Sequence, residues 1–135
     1  MTDSRTKAFW IIAGLAFVWN LLGLSAFVAE MSITAEMISQ MPQAEQALRA
    51  ATPSWVNIAF GIAVIAGTMG SILLLMKKAV AHAVFWISLL AVIAQMGYVF
   101  LLSDALSIYG PESAIMPSMI LVVAALLVWY SKRFS

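Results

Sequence analysis

The chain has no cysteine and a single histidine. Without cysteine there is no disulfide, no thiolate metal site and no cysteine nucleophile. One histidine excludes a multi-histidine metal site within one chain. Charge is also scarce. Asp, Glu, Lys and Arg make up 10% of the 135 residues, against roughly 25% in soluble globular domains. Several motifs are missing as well: a glycine-rich nucleotide loop, a nucleophile elbow and an HExxH helix. The glycine pair in Gly67-Thr68-Met69-Gly70 lacks the lysine that a phosphate loop needs, so it reads as a packing feature. These absences lead us to expect no enzyme activity, no cofactor, no metal and no nucleic-acid partner.

What the chain does have is apolar length. Hydrophobic residues make up 64% of it and the mean hydropathy is +1.01. Four hydrophobic runs stand out, at about 8–29, 55–76, 80–103 and 114–130. The first has about 22 residues, which as a helix covers about 33 Å and is enough to cross a bilayer core. It exceeds a signal-peptide core of about 7–15 residues, and Phe27-Val28-Ala29 fits a cleavage site poorly. The composition therefore predicts one all-α domain over 1–135, an integral membrane four-helix bundle. The link between the second and third runs is so short that they must form an antiparallel hairpin. Pro117 sits near the start of the fourth run, where a missing N–H costs least.

Two polar connections remain. In Glu30–Ser54, Thr34 is expected to cap a short helix through Met41, and Pro42 to open a second one to Ala51. Asp104–Ser113 reads as a polar loop. The basic residues then set an orientation. Arg5, Lys7, Lys77, Lys78, Lys132 and Arg133 fall on one side of a four-span arrangement, with Arg49 on the other. Most acidic residues (Glu30, Glu36, Glu45, Asp104, Glu112) lie with Arg49. By the positive-inside rule both termini are cytoplasmic, N-in and C-in. Lys77, Lys78, Lys132 and Arg133 form a basic rim suited to anionic head groups, so membrane lipids are the expected partners.

The second run carries the clearest packing surface. Ala59, Ala63, Gly67 and Ser71 recur every four residues, with Ala66 and Gly70 beside them. Small residues at this spacing let another backbone approach closely. The ladder faces either the first or fourth span inside the bundle, or a second protomer in a homo-oligomer.

Polar residues inside the spans are the candidates for function. Asn20 in the first span and Gln95 in the third come out at similar depth when counted from each span's start. A hydrogen bond between them is expected, either as interhelical glue or as a step in a substrate path. Toward the outer side, Glu30, Asn57, Gln95, Tyr98 and Asp104 line one candidate vestibule. The plainer reading of Glu30 and Asp104 is that of solvated residues at span ends. His82, at the inner end of the third span, and Met31, Met37 and Met41 in the outer loop read as interfacial residues rather than as a proton sensor or a copper site.

Several short stretches together resemble a known family. They are Pro53-Ser54-Trp55-Val56, the glycine-rich second span ending in Leu73–Lys78, Gln95-Met96-Gly97-Tyr98, Leu102-Ser103-Asp104, Met116-Pro117 and Trp129-Tyr130. The chain looks like a member of a family of small four-span bacterial inner-membrane proteins, often labelled "sugar transporter". The resemblance covers nearly the whole chain and implies a bacterial inner-membrane location and, weakly, transport. Small multidrug exporters also have four spans, with a glutamate inside the first. Here Asn20 takes the centre and Glu30 the outer end, which argues against proton antiport by that mechanism. Two functions follow as expectations. One is a transport or channel component for a small polar solute. The other is an accessory subunit bound to a larger membrane complex by helix packing.

Overall fold

The structure is a computed structural model that describes residues 2–134; the side chain of Arg5, used above for orientation, lies outside the described residues. Every regular element in it is helical. The long helices are α1 (Thr2–Met31), α4 (Ser54–Leu75), α5 (Ala81–Gly97) and α7 (Ile115–Ser131). Between them lie the short helices α2 (Ala35–Ser39), α3 (Gln43–Ala51) and α6 (Ala105–Tyr109). Counting the turns that extend α5 and α7, four helices are long and apolar enough to cross a membrane.

Helix α4 shows how the sequence sets an element. Pro53 leads into it in an extended conformation, and no proline interrupts it. It ends in a Schellman motif: Lys77 N–H donates to the Leu74 carbonyl and Lys78 N–H to the Leu73 carbonyl, both at 2.9 Å. Lys77 takes φ 56° to make this turn, a conformation usually left to glycine. The chain then reverses at once into α5.

Helix α1 packs on α4, α4 on α5, and α5 on α7. The two middle helices are the most enclosed. In their most apolar windows 44% of α4 and 33% of α5 are buried, against 11% of α1 and of α7. All four meet at the end that carries Lys77, Lys78, Lys132 and Arg133, here called the basic end. Phe9, Ala13, Ala16, Leu74, Ala81, Phe85, Leu127 and Val128 form one core cluster there. A second cluster joins α4 and α5 through Ala63, Ala91, Val92 and Met96, with Ile120 and Leu121 of α7 against it.

The small residues of α4 lie within this packing. Ala59, Ala63, Ala66, Gly67, Gly70 and Ser71 are all buried. A Cβ on Gly70 would meet the Phe85 ring of α5 at 2.9 Å, while Gly67 lies against the Asn20 side chain of α1 and Ser71 Oγ accepts from Asn20 Nδ2 at 3.2 Å. The ladder thus faces α1 on one side and α5 on the other. Within the bundle its neighbours are the first and third spans, and α7 is not packed closely on it.

The connections depart from expectation in three places. Helix α2 stops at Ser39, not Met41, because a residue before proline disfavours helical geometry. Its cap is as expected, with Met37 N–H donating to Thr34 Oγ1 at 3.2 Å. Gln46 Nε2 then donates to the Met41 carbonyl at 2.8 Å and ties α2 to α3. The Asp104–Ser113 stretch, read as a loop, contains α6, which ends at Gly110 with φ 95°. Helix α5 finishes in a π-turn over Tyr98–Leu102, closed by Ser103 N–H on the Tyr98 carbonyl at 2.8 Å.

Gly67 gives the sharpest packing test. A Cβ there would collide with the Asn20 side chain and come within 3.3 Å of Ser88 Oγ. Gly67→Ala is expected to destabilise the bundle by about 1–3 kcal/mol, the usual cost of overpacking. The loss should shrink by more than half in an Asn20→Ala background, which removes the obstruction. Reversible unfolding in detergent of both single variants and the double variant gives the coupling; independent, additive losses would contradict this packing.

Candidate functional site

A cavity of about 360 Å³ lies between the four long helices. It is lined by Trp19 and Gly23 of α1, Phe60 and Val64 of α4, Val92 and Gln95 of α5, and Met116 and Ile120 of α7, among others. Most of this lining is apolar. Leu22 and Met116 line the cavity yet are 64% and 56% exposed. The cavity therefore opens sideways, between α1 and α7, the two long helices farthest apart in the packing order.

Three amide or hydroxyl side chains reach the cavity: Asn20, Ser88 and Gln95. Two are engaged by protein. Asn20 Nδ2 donates to the Ala16 carbonyl at 2.8 Å and to Ser71 Oγ at 3.2 Å. The partners fix the amide's orientation. A carbonyl can only accept, and the Ser71 hydroxyl hydrogen is already directed to the Gly67 carbonyl at 2.8 Å. Asn20 Oδ1 therefore turns toward Gly67. Thr68 Oγ1 donates to the Val64 carbonyl at 2.7 Å and lies 3.3 Å from the Asn20 carbonyl. Ser88 Oγ donates to the Ala63 carbonyl at 2.7 Å. Each hydroxyl answers a backbone carbonyl within apolar surroundings, where unsatisfied polar groups cost most. No buried side-chain nitrogen or oxygen among the described residues lacks a partner.

Gln95 is different. It lines the cavity, is partly exposed, and makes no hydrogen bond to the described residues. The expected Asn20–Gln95 bond is absent, and Asn20 turns to α4 instead. The reason is register. Asn20 and Ser88 press on the same glycine, and Gln95 lies seven residues farther along α5, about 10 Å of helical rise. Phe9, near the start of the first apolar run, packs under Lys77 in the α4–α5 turn, ahead of the start of α5 at Ala81, so equal counts from Ala8 and Val80 do not mark equal depth.

The candidate vestibule residues divide. Glu30 forms a two-point ion pair with Arg49 of α3, Nη1 to Oε1 at 2.5 Å and Nη2 to Oε2 at 3.1 Å. Tyr98 packs edge-on against Trp55 at 5.7 Å and directs its hydroxyl at the Ala51 carbonyl, 3.4 Å away. Asp104 is exposed, and Asn57 is partly buried; neither has a hydrogen-bonding side chain partner among the described residues. Of these residues Gln95 lines the central cavity, and the other four are not part of its lining. Glu30 and Tyr98 each hold α3 at the end of the bundle opposite the basic end, here called the acidic end.

Sequence reasoning missed three features. Ser71 was seen as a ladder residue and not as the partner of Asn20, although its spacing from Gly67 and Thr68 puts all three on or beside one face. Arg49, set apart as the lone basic residue on its side, is the partner of Glu30. His82 is a clamp. Its Nδ1 donates to the Val128 carbonyl at 3.1 Å, with Ser131 Oγ at 3.2 Å, and its Nε2 accepts from Trp86 Nε1 at 3.2 Å. A carbonyl that only accepts and an indole that only donates specify the neutral Nδ1–H tautomer. The clamp fastens α5 to α7 at the basic end.

No group of His, Cys, Asp and Glu among the described residues is placed to hold a metal ion. No family model, curated protein or solved structure matches the chain, so its similarity to known proteins adds nothing to the geometry.

The acidic end has its own electrostatics. Arg49 is held above its ordinary value, first by the hydrogen bond to Glu30. The Tyr109 phenol is pushed above its usual 10.0, first by burial and then by a hydrogen bond from it to Glu45. A raised value means the folded state holds the proton longer, so this group's contribution to stability falls as pH rises through and beyond 10. Phenolate absorbance should show Tyr109→Phe losing a component that titrates above pH 10. Loss of a component at or below that value would contradict the environment described for Tyr109.

Proposed function

We propose that the chain is a small multi-pass membrane protein whose central cavity binds a largely apolar molecule carrying one hydrogen-bonding group, taken from the hydrocarbon layer through the α1–α7 opening. The observation that carries this reading is the cavity's single unengaged amide, Gln95, in an otherwise apolar lining. Its volume lies within the range of roughly 300–1,000 Å³ usual for small-molecule sites. The basic end faces the cytoplasm in this reading, following the bias of Lys7, Lys77, Lys78, Lys132 and Arg133. A bacterial inner membrane is the setting suggested by the resemblance to small four-span proteins.

Transport of a small polar solute has less support. A polar substrate needs several converging partners, and Asn20 and Ser88 already have their donors engaged within the bundle. The accessory-subunit reading draws on the exposed apolar faces of α1 and α7, which lipid covers equally well. A homo-oligomer through the α4 ladder has lost its main support, since those residues are buried within one chain.

Binding is testable with a brominated long-chain alcohol and the matching bromoalkane, following quenching of Trp19, which lines the cavity. The Trp19-dependent part of the signal is isolated with Trp19→Phe. The alcohol should be preferred over the alkane roughly fivefold, the worth of one hydrogen bond. Gln95→Leu should abolish that preference and Ala63→Leu should abolish binding. An unchanged preference in Gln95→Leu would overturn the reading.

A further inference from the structure

A second cavity, of about 550 Å³, lies at the basic end between the start of α1 and the end of α7. Thr6, Phe9, Ile12, Lys77, Tyr130 and Arg133 line it. Two cations stand at this cleft, and aromatic rings hold both. Lys77 Nζ lies 5.2 Å from the Phe9 ring centroid and 5.8 Å from that of Trp10. The Arg133 guanidinium lies 5.0 Å from Trp129 and 5.7 Å from Tyr130. Neither has an acidic partner among the described residues. Lys77 is fixed further by its backbone, since the Schellman turn at φ 56° sets where its side chain leaves the chain.

From this arrangement we propose a specific binding site for an anionic glycerophospholipid, with its phosphate between Lys77 and Arg133 and its glycerol and upper acyl carbons on Phe9 and Ile12. A guanidinium offers a planar fork of donors that fits phosphate oxygens, and an ammonium adds a point charge. Phe9 is 5% exposed while Ile12 is 37% exposed, so the floor below the cations is apolar and continues onto the outer surface of α1. A charged rim over an apolar floor matches an amphiphile. Free phosphate would use the rim and leave the floor empty. The site is built from different residues than the central cavity, and the two readings stand or fall separately.

Sequence position alone would treat Lys77, Lys78, Lys132 and Arg133 alike as a basic rim. The geometry separates them, because only Lys77 and Arg133 line this cleft. Lys78 is exposed and next to Lys77 in the chain, so it is the control for diffuse attraction.

The test is native mass spectrometry of the full chain released from detergent micelles, with phosphatidylglycerol, phosphatidylcholine or inorganic phosphate added. Phosphatidylglycerol should bind in preference to phosphatidylcholine. Lys77→Gln and Arg133→Gln should each weaken it about fivefold, the effect of about one cation at an anionic surface, while Lys78→Gln should change it less than twofold. The two sensitive variants lie on different segments, so a folding defect in one leaves the other to decide. Equal weakening by Lys78→Gln would show a diffuse surface effect and overturn the proposal. Equal binding of the two lipids, or displacement of phosphatidylglycerol by phosphate at equal concentration, would overturn it too.

Discussion

A polar side chain in the middle of an apolar helix has to find its partners within the protein, and Asn20 finds them on α4. Its amide bridges the Ala16 carbonyl of its own helix and Ser71 of the next. Ser71 in turn answers Gly67. The bond is worth only about 0.6–2 kcal/mol in a membrane setting, so its importance is geometric. It admits only one register of α1 on α4. That register needs a residue without a side chain at 67, because the Asn20 oxygen occupies the space a Cβ would take. Glycine at 67 and asparagine at 20 are two halves of one contact.

The character of the central cavity follows from this contact. Asn20 sits at the depth of Ser88, so at this register it and Gln95, seven residues farther along α5, do not reach each other. With Asn20 held on α4, and Ser88 held by the Ala63 carbonyl, Gln95 is the one of the three polar lining side chains without a hydrogen-bond partner among the described residues. Helix α7 is held to α5 by Ile120 and Leu121 against the second core cluster and by the His82 clamp at the basic end. Between α1 and α7 the packing is loose enough for the cavity to open.

Much of the fold was legible because hydropathy and small-residue spacing are local signals. The four long helices, the α4–α5 hairpin, the Thr34 cap and the burial of Gly67 and Gly70 can all be read from neighbours in the chain. What was not legible depended on register between helices. The pairing of Asn20 with Ser71 needs the relative depth of two segments, and apolar runs do not mark where a helix begins. The start of the first apolar run lies beside the α4–α5 turn, ahead of the start of α5, and that offset shifted the count enough to suggest Gln95 as a partner. The Glu30–Arg49 pair was hidden for a related reason, since it joins a span end to a loop helix whose position over the bundle no local pattern records.

The central claim is that Asn20 faces α4 and leaves Gln95 free. Proton cross-peaks from the Asn20 side-chain amide, in selectively labelled protein in lipid nanodiscs, test it most directly. The account predicts contacts to the Ser71 β-protons and the Gly67 α-protons, and none to the Gln95 side chain. Cross-peaks between the Asn20 and Gln95 amides, with none to Ser71, would contradict it.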